Sequence, residues 1–401
     1  EGRIEGTSKD IDAGNVTLAK TDSLPSGGEL RDVKISKPVF ILEPAGRYRA
    51  SADMSLGGGI IGSVPLGAAT AQVVVNNNGA ELSDLNAQVM DGSVTGNATI
   101  AFNDRTRSVI NADFSGLDLG KLAALQSGRV IPLEGIASGR VDLSLAGTDY
   151  RTASGVVNAT ITAAAGTDAT NKIPINGAVD LSAVNGLFNV DQARLTAPNS
   201  ELTATGRFDL RNDDSNLNVE LRSTNAGEVL NIARVTGLTS TLEPQIESMQ
   251  LAAAGNLLLD GNITGDLSDP TIEGKASVAS LSVQGRDVGT LTTDIARSPL
   301  QTQLSNGRLR QTDGGLVAFD LTIPSIGSDN ISLNAQLTSV NAGNLLAALP
   351  VSLPERLREF NGKTSGTVAL AGLPDQASGE INITSEAGNI AGQPFDSLTA
   401  K

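Results

Sequence analysis

The chain repeats one strand-forming pattern three times at nearly equal spacing. The stretches VTGNATIAF (94–102), LTATGRFDL (202–210) and GLVAFDLTI (315–323) alternate apolar or small residues with polar ones and end in a bulky apolar pair. They begin 108 and 113 residues apart. Because successive side chains point to opposite faces of a β-strand, each stretch has one apolar and one polar face. The spacing predicts a repeated β module of about 110 residues.

A second marker recurs with a similar period. Alternating strands are predicted at INADF (110–114), LNVEL (217–221) and ISLNAQL (331–337). Short helical patterns follow them at LGKLAAL (119–125), AGEVLNIARV (226–235) and AGNLLAAL (342–349). Helices of two or three turns are too short to be stable alone in water. We therefore interpret them as helices that pack across the end of an apolar groove; the alternative is that they bind a membrane or a partner.

A third marker has the composition of hairpin corners. It occurs at SGRVDLSLAGTDYRTASG (138–155), GNITGDLSDPTIEG (261–274) and SGTVALAGLPDQASG (365–379). Gly supplies positive φ or a bulge, and Asp and Pro favour turns. In the middle copy we expect Gly265, Asp269, Pro270 and Gly274 to turn the chain.

These patterns predict an all-β fold: a long, repetitive, curved antiparallel sheet with an open groove and a few short helices. Residues 1–63 match the pattern loosely, and residues 64–401 are expected to form one continuous sheet without a low-complexity linker. The opening EGRIEG carries no leader pattern, so we expect a segment of a longer protein. Any membrane anchor is then expected outside it.

Composition excludes several classes of function. The chain has no Cys and no His, which removes disulfides and every His-dependent catalytic relay. Its net charge of −15 disfavours nucleic acid as a partner. Only 2% of residues are aromatic, so large rings cannot dominate a compact core. We predict no enzyme activity, no cofactor and no metal.

Local motifs do not change that prediction. GGGIIG (57–62) has the dinucleotide-binding spacing, but the residues after it read as a strand and not as the required helix. Asp10, Asp12 and Asn15 lack the spacing of a calcium loop, as do Asp213, Asp214 and Asn216. No Lys follows a Ser at the distance of an S-x-x-K nucleophile.

The apolar faces of the predicted strands are the candidate functional surface, because nothing in the sequence supplies an evident cover for them. An open groove and a dry, self-filled solenoid or sandwich core both remain compatible with the pattern. The predicted lining residues are the apolar positions of these strands: Ile100, Phe102, Ile110, Phe114, Val141, Leu143, Leu145, Phe208, Leu210, Leu217, Val219, Leu221, Phe319, Leu321, Ile323, Ile331, Leu333, Leu337, Ile381 and Ile383.

The corner phrase at 261–274, the Ala342-Gly343 step into a Leu-rich helical turn and the ELTATGRFDL strand resemble the AsmA-like superfamily. Within it they are most similar to the translocation and assembly module B (TamB) family, over about residues 64–401. The resemblance implies a taco-shaped β-sheet in the periplasm of a diderm bacterium, anchored to the inner membrane by a segment not present here. It further implies transport of phospholipid acyl chains between the membranes in support of outer-membrane assembly, with an outer-membrane barrel protein as partner.

A second hypothesis also fits the composition. An extracellular adhesin or filament, built as a β-solenoid or as tandem sandwiches, would be equally rich in Gly, Asn and Thr. Solenoid coils usually repeat at about 20–30 residues, however, whereas the period here is near 110.

Overall fold

The structure is a computed structural model that describes residues 3–20, 27–103, 105–127, 131–163, 172–209, 214–236, 247, 250, 252–266, 269–283, 285–325, 330–343, 345, 360–373 and 378–401. Within these ranges it contains 27 strands, two α-helices whose first and last residues are both described, and a 3₁₀ turn at Pro44–Gly46. Twenty-five of these described strands form one antiparallel sheet, and the other two form a short parallel pair. The predicted all-β antiparallel sheet with few helices is confirmed.

The chain divides into two compact units: residues 1–198 with 205–212, and residues 199–204 with 213–401. The first unit contains strands β1 (Ile4–Thr7), β2 (Ile11–Leu18), β3 (Gly28–Leu42), β4 (Tyr48–Leu56), β5 (Gly58–Ile61), β6 (Val64–Asn76), β7 (Gly79–Val89), β8 (Gly92–Ala101), β9 (Arg107–Asp118), β10 (Leu133–Glu134), β11 (Ile136–Ala146), β12 (Asp149–Thr162), β13 (Ile173–Pro174), β14 (Asn176–Val184) and β15 (Leu187–Ala197), with helix α1 (Leu119–Ser127). Strand β16 (Ser200–Asp209) has residues in both units.

The second unit contains strands β17 (Ser215–Ser223), β18 (Ala252–Gly265), β19 (Thr271–Val283), β20 (Arg286–Arg297), β21 (Gln301–Arg310), β22 (Leu316–Pro324), β23 (Ile331–Asn341), β24 (Phe360–Asn361), β25 (Lys363–Leu373), β26 (Ser378–Ile390) and β27 (Gln393–Ala400), with helix α2 (Ala226–Thr236).

Both units are antiparallel meanders. In the first unit β3 pairs with β1 and β2 along one edge and with β4 and β5 along the other. From β6 to β15 each strand of the large sheet pairs with the next one in sequence. The second unit continues the same way from β17 to β27, with β24 pairing beside β25 on β26. Residues that pair directly across successive strands therefore lie on the same face of the sheet.

The elements predicted from sequence are found in these meanders. The three repeated stretches are β8, β16 and β22, and the first two helical patterns are α1 and α2. Of the third helical pattern only Ala342, Gly343 and Leu345 are described, and they are helical. Residues 57–62 lie in and beside β5 and lead into β6, so the dinucleotide motif is followed by a strand. The boundary at residue 63 and the 110-residue module remain predictions.

The predicted corner at 261–274 needs a correction. The turn joins Gly265, at the end of β18 with φ of +83°, to Thr271. Gly274 lies inside β19, directly opposite Gly261. A Cβ on Gly274 would lie 2.8 Å from the Cα of Gly261 and 2.5 Å from the carbonyl oxygen of Asp260. Gly274 therefore permits two strands to approach closely and does not turn the chain.

Bulges keep the apolar side chains on one face where the sequence alternation breaks. Leu82 and Leu85 both belong to the apolar face although they are three residues apart, because Ser83 and Asp84 form a bulge opposite β8. Asp84 has φ of +52°, and its N–H donates to Oδ1 of Asn97 at 3.2 Å. The side chain of the neighbouring strand thus satisfies the N–H that the bulge removes from the ladder.

The same arrangement recurs elsewhere in the described chain. In each case a bulged residue with positive φ donates its N–H to a side-chain oxygen of an adjacent segment. The pairs are Lys37 with Asp10 at 3.0 Å, Gly116 with Ser138 at 3.2 Å, Asn306 with Asp320 at 3.0 Å and Ser339 with Ser365 at 2.9 Å.

Each helix is capped and held beside strand ends. Asp118 accepts the N–H of Lys121 at 2.9 Å at the start of α1, and Asn225 accepts the N–H of Gly227 at 3.1 Å at the start of α2. Helix α1 contacts β9 and β10, and α2 contacts β17 and β18. Near α1, Gly135 lies between the side chains of Ile161 and Leu119. The positions agree with helices that pack across strand ends.

Candidate functional site: the apolar faces

A continuous row of apolar residues crosses nine strands of the first unit. Residues directly opposite each other in an antiparallel ladder point to the same face. Following the pairing from β4 to β15 gives Ala52, Val73, Leu82, Ala98, Ile110, Leu143, Gly155, Ala183 and Phe188. None of these residues is polar or charged.

The second unit has two such rows. One runs from β18 to β27 through Leu257, Val278, Leu291, Leu309, Val317, Leu337, Gly366, Ile383 and Ala400. The other runs from β17 to β26 through Val219, Gly261, Gly274, Ile295, Leu304, Leu321, Leu333, Leu370 and Gly379. Each unit therefore carries an uncharged apolar face that extends across its strands.

Most large side chains of these rows are only half-buried. Leu82, Ile110 and Leu143 in the first unit and Leu304 and Leu333 in the second are all partly accessible. In the described chain the largest fully buried side chains are Val340, Thr364 and Ser108. A core packed between two closed layers would bury its leucines completely. The apolar faces of the described strands are thus incompletely covered.

Glycine and phenylalanine share the space on these faces. Phe114 pairs with Gly139, Phe319 with Gly307 and Phe395 with Gly388. A Cβ on the three glycines would lie 2.8, 2.5 and 2.6 Å from Cζ of the opposite ring. These rings cover the glycine backbone of the neighbouring strand, an arrangement that stabilises exposed glycines in sheets.

Eighteen of the twenty predicted lining residues lie on the apolar faces, either in the rows or paired with other residues of the same face. Phe208 stacks on Phe188 with ring centroids 5.1 Å apart. Phe102 is different, because it follows the end of β8 and is 56% exposed. Leu210 lies outside the described residues. Whether the eighteen residues contact a lipid remains a prediction.

The N-terminal strands form an apolar pocket that was not predicted from the sequence. The N-terminal pocket has a volume of about 570 Å³ and is lined by Gly6, Thr7, Ser8, Ile11, Ile35, Pro38, Val39, Phe40, Ala50, Ser51, Ala52, Met54, Val73 and Val75. Its signal in the sequence was the alternation in YRASADMSL (48–56), which places Ala50, Ala52 and Met54 on one face.

The opposite face of each strand is polar and carries paired charges. Nε of Arg140 lies 2.7 Å from Oδ2 of Asp142, and Nη1 of Arg140 lies 3.7 Å from Oδ1 of Asp113 on β9. The hydrogen bond from Arg140 lowers the pKa of the Asp142 carboxyl. Such exposed pairs keep the polar face hydrated and contribute little stability.

The described ranges hold no group of three or more His, Cys, Asp or Glu side chains placed to bind a metal. Of the two candidate acidic clusters, Asp10 accepts the N–H of Lys37 and Asp12 that of Gly14 at 3.0 Å each, whereas Asp213 is outside the described residues. None of the described helices has the length and hydrophobicity needed to cross a membrane.

Comparison of the chain with protein-family models, with curated proteins and with solved structures returned no match.

Proposed function

We propose that the chain is a bridge-like lipid conduit that carries phospholipid acyl chains along its apolar faces. The observation that carries this proposal is the set of uncharged rows, each nine strands wide, whose leucine and isoleucine side chains are only half-buried. An exposed apolar surface of that extent is costly in water and usually marks a binding site.

The chemistry of the rows favours a hydrocarbon over a peptide as occupant. Backbone N–H and C=O groups along the rows are engaged in the sheet ladders. A peptide laid there would bring polar groups without partners, each costing about 1–3 kcal/mol. An acyl chain brings none, and each methylene transferred from water contributes about 0.8 kcal/mol.

The same observations favour the conduit over the adhesin or filament. A solid solenoid or sandwich owes its rigidity to a closed core, and its largest inward side chains are fully buried. The few fully buried side chains of the described strands are small or medium in size. Partly accessible leucines across the whole width of the sheet do not fit a rod whose rigidity comes from a closed core.

The cellular setting of the proposal rests on the resemblance to the AsmA-like superfamily. On that basis the chain acts in the periplasm between the inner and outer membranes of a diderm bacterium and supports outer-membrane assembly. The resemblance further implies an outer-membrane barrel protein as a partner. The proposed function requires no catalysis and no cofactor.

The first experiment asks whether the protein holds lipid. The chain is purified without detergent and extracted with organic solvent, and the extract is analysed by mass spectrometry. We expect phospholipid or fatty acid in molar amounts comparable to that of the protein. A stable, folded preparation free of lipid, with no uptake from vesicles, would refute the conduit.

A second experiment uses adjacent positions on opposite faces of β17. Val219 belongs to an apolar row, whereas Asn218 pairs with Asn262 on the polar face. Val219→Asp places a charge on the apolar face and is expected to abolish lipid transfer between vesicles while circular dichroism stays unchanged. The control Asn218→Asp adds the same carboxylate to the polar face and should transfer lipid normally. Complete unfolding of Val219→Asp would indicate a closed core instead.

A further inference from the structure

The N-terminal pocket differs from the rest of the apolar face of the first unit. It is a concave volume of about 570 Å³, within the range of about 300–1,000 Å³ that is typical of small-molecule sites. Phe40 is 49% exposed and Ile11 is 45% exposed at its walls. Large apolar side chains this accessible, facing one concavity, indicate an occupant.

The walls of the pocket offer almost no hydrogen-bonding capacity. The N–H of Ser8 donates to the carbonyl oxygen of Pro38 at 3.2 Å. The surrounding backbone is engaged in the ladders of β3 with β1, of β3 with β4 and of β4 with β6. A peptide segment in the pocket would therefore leave its own polar groups unsatisfied, whereas an unbranched hydrocarbon chain would not.

Small residues create the space. Ala50 and Ala52 lie between the larger side chains of β3 and β6, opposite Val75 and Val73. Ala52 is also the first member of the apolar row of this unit, followed by Val73, Leu82 and Ala98. The pocket is thus continuous with the row, and a chain leaving the pocket would enter the row directly.

We infer that the N-terminal pocket is a holding site that retains one acyl chain of an amphiphile and exchanges it slowly with the rest of the apolar face. This inference rests on the proposed function, which assigns acyl chains to the face, and adds a regulatory step to it. A uniform apolar surface lets a chain slide, whereas a concave site contacts the chain on several sides and delays its departure.

The test uses a palmitic acid analogue that carries a photoreactive diazirine near its methyl end. It is supplied in phosphatidylcholine vesicles, and after illumination the labelled peptides are mapped by mass spectrometry. We expect the label to concentrate on peptides of β3, β4 and β6 and to be chased from them by unlabelled lipid more slowly than from the other strands. Uniform labelling along the face with uniform exchange would overturn the holding site.

A matched pair of substitutions locates the effect. Ala52→Phe fills the pocket and is expected to reduce retained label there by about tenfold, because a well-packed site does not accommodate both groups. Ala98→Phe makes the same change in the same apolar row, at a residue that is also half-buried but lies on β8 outside the pocket. It should leave pocket labelling intact. Unchanged labelling in Ala52→Phe would refute the assignment.

The outcomes separate the holding site from the conduit. Label on the apolar rows with none in the pocket supports transport and refutes the holding site. Label in the pocket without lipid transfer between vesicles supports a binding site and refutes the conduit. Benzoylphenylalanine at position 40 identifies a different occupant: a covalent dimer of the chain or an adduct with another protein, in place of a lipid adduct, would overturn the inference.

Discussion

The ring of Phe319 on β22 occupies the space that a side chain at Gly307 on β21 would fill. The two residues are directly paired, and a Cβ on Gly307 would lie 2.5 Å from Cζ of Phe319. Only a glycine at position 307 leaves room for the ring, and the ring in turn covers the backbone of Gly307. Three of the eight Phe in the chain cover a glycine in this way, whereas Phe188 is buried and stacks on Phe208.

This relationship predicts energetic coupling between the two residues. Gly307→Ala is expected to destabilise the protein by about 1–3 kcal/mol through overpacking. Phe319 is half-buried, so Phe319→Ala is expected to cost about 2 kcal/mol of apolar burial. Since removal of the ring relieves the clash, the double variant should be more stable than the sum of the two effects predicts, by about 1 kcal/mol. Hydrogen exchange of β21 and β22 measures this locally.

Two other glycines provide reference values for this comparison of single and double variants. Gly366→Ala should cost about 2 kcal/mol or more, because its φ is +147° and a Cβ would meet the carbonyl oxygen of Asn382 at 2.1 Å. Gly6→Ala should be nearly neutral, because no atom lies within 4 Å of its Cβ position. Strictly additive effects at Gly307 and Phe319 would contradict the coupling.

The bulge at Asn306 depends on a side chain from the next strand. Its N–H donates to Oδ1 of Asp320 at 3.0 Å, and its φ is +52°. Asp320→Ala leaves that N–H without its partner and is expected to cost about 1–2 kcal/mol. Asp320→Asn keeps an acceptor oxygen in place and should cost less. Equal exchange rates of the Asn306 amide in wild type and in Asp320→Ala would show that the side chain does not support the bulge.

Acid should weaken the Arg140–Asp142 pair on the polar face. The hydrogen bond from Arg140 lowers the pKa of the Asp142 carboxyl below its ordinary value. A depressed carboxyl pKa contributes stability that is fully present above the unfolded-state pKa and is lost as pH falls through the folded-state pKa. The effect should be small because Arg140 is 56% exposed and Asp142 is 33% exposed. In a carbon-13 NMR titration, Arg140→Gln should move the Asp142 midpoint upward, and an unmoved midpoint would exclude the pair as its cause.

Glu228 connects α2 to the turn before β16. Its carboxylate accepts the backbone N–H of Asn199 at 3.1 Å and the side-chain N–H of Asn199 at 3.2 Å, and it also contacts Oγ of Ser200. Glu228→Ala should speed hydrogen exchange at Asn199 and along α2, with a loss of about 1–3 kcal/mol of local stability. Glu228→Gln retains one acceptor oxygen and should show an intermediate effect. Protection that is identical in all three proteins would rule out this connection.

The sequence by itself determined that the chain is β and that each strand has an apolar and a polar face. Alternation is a local property, since a side chain's face follows from its position along one strand. For this reason 18 of the predicted lining residues, from Ile100 to Ile383, lie on the apolar faces. The helices after β9 and β17 were likewise predicted, because short helical patterns follow the alternating strands in the sequence.

Only the tertiary structure decided where that alternation is reset and where the apolar face becomes concave. Leu82-Ser83-Asp84-Leu85 breaks the alternation in the sequence. In the structure a bulge at Ser83 and Asp84, where the N–H of Asp84 donates to Asn97 on the next strand, keeps both leucines on the apolar face. Gly274 reads as a turn residue, yet it sits inside β19 because Gly261 lies opposite it. The N-terminal pocket likewise depends on small residues of β4 that lie between larger ones of β3 and β6. Each of these features depends on which strands become neighbours, and pairing between strands is not encoded in either strand alone.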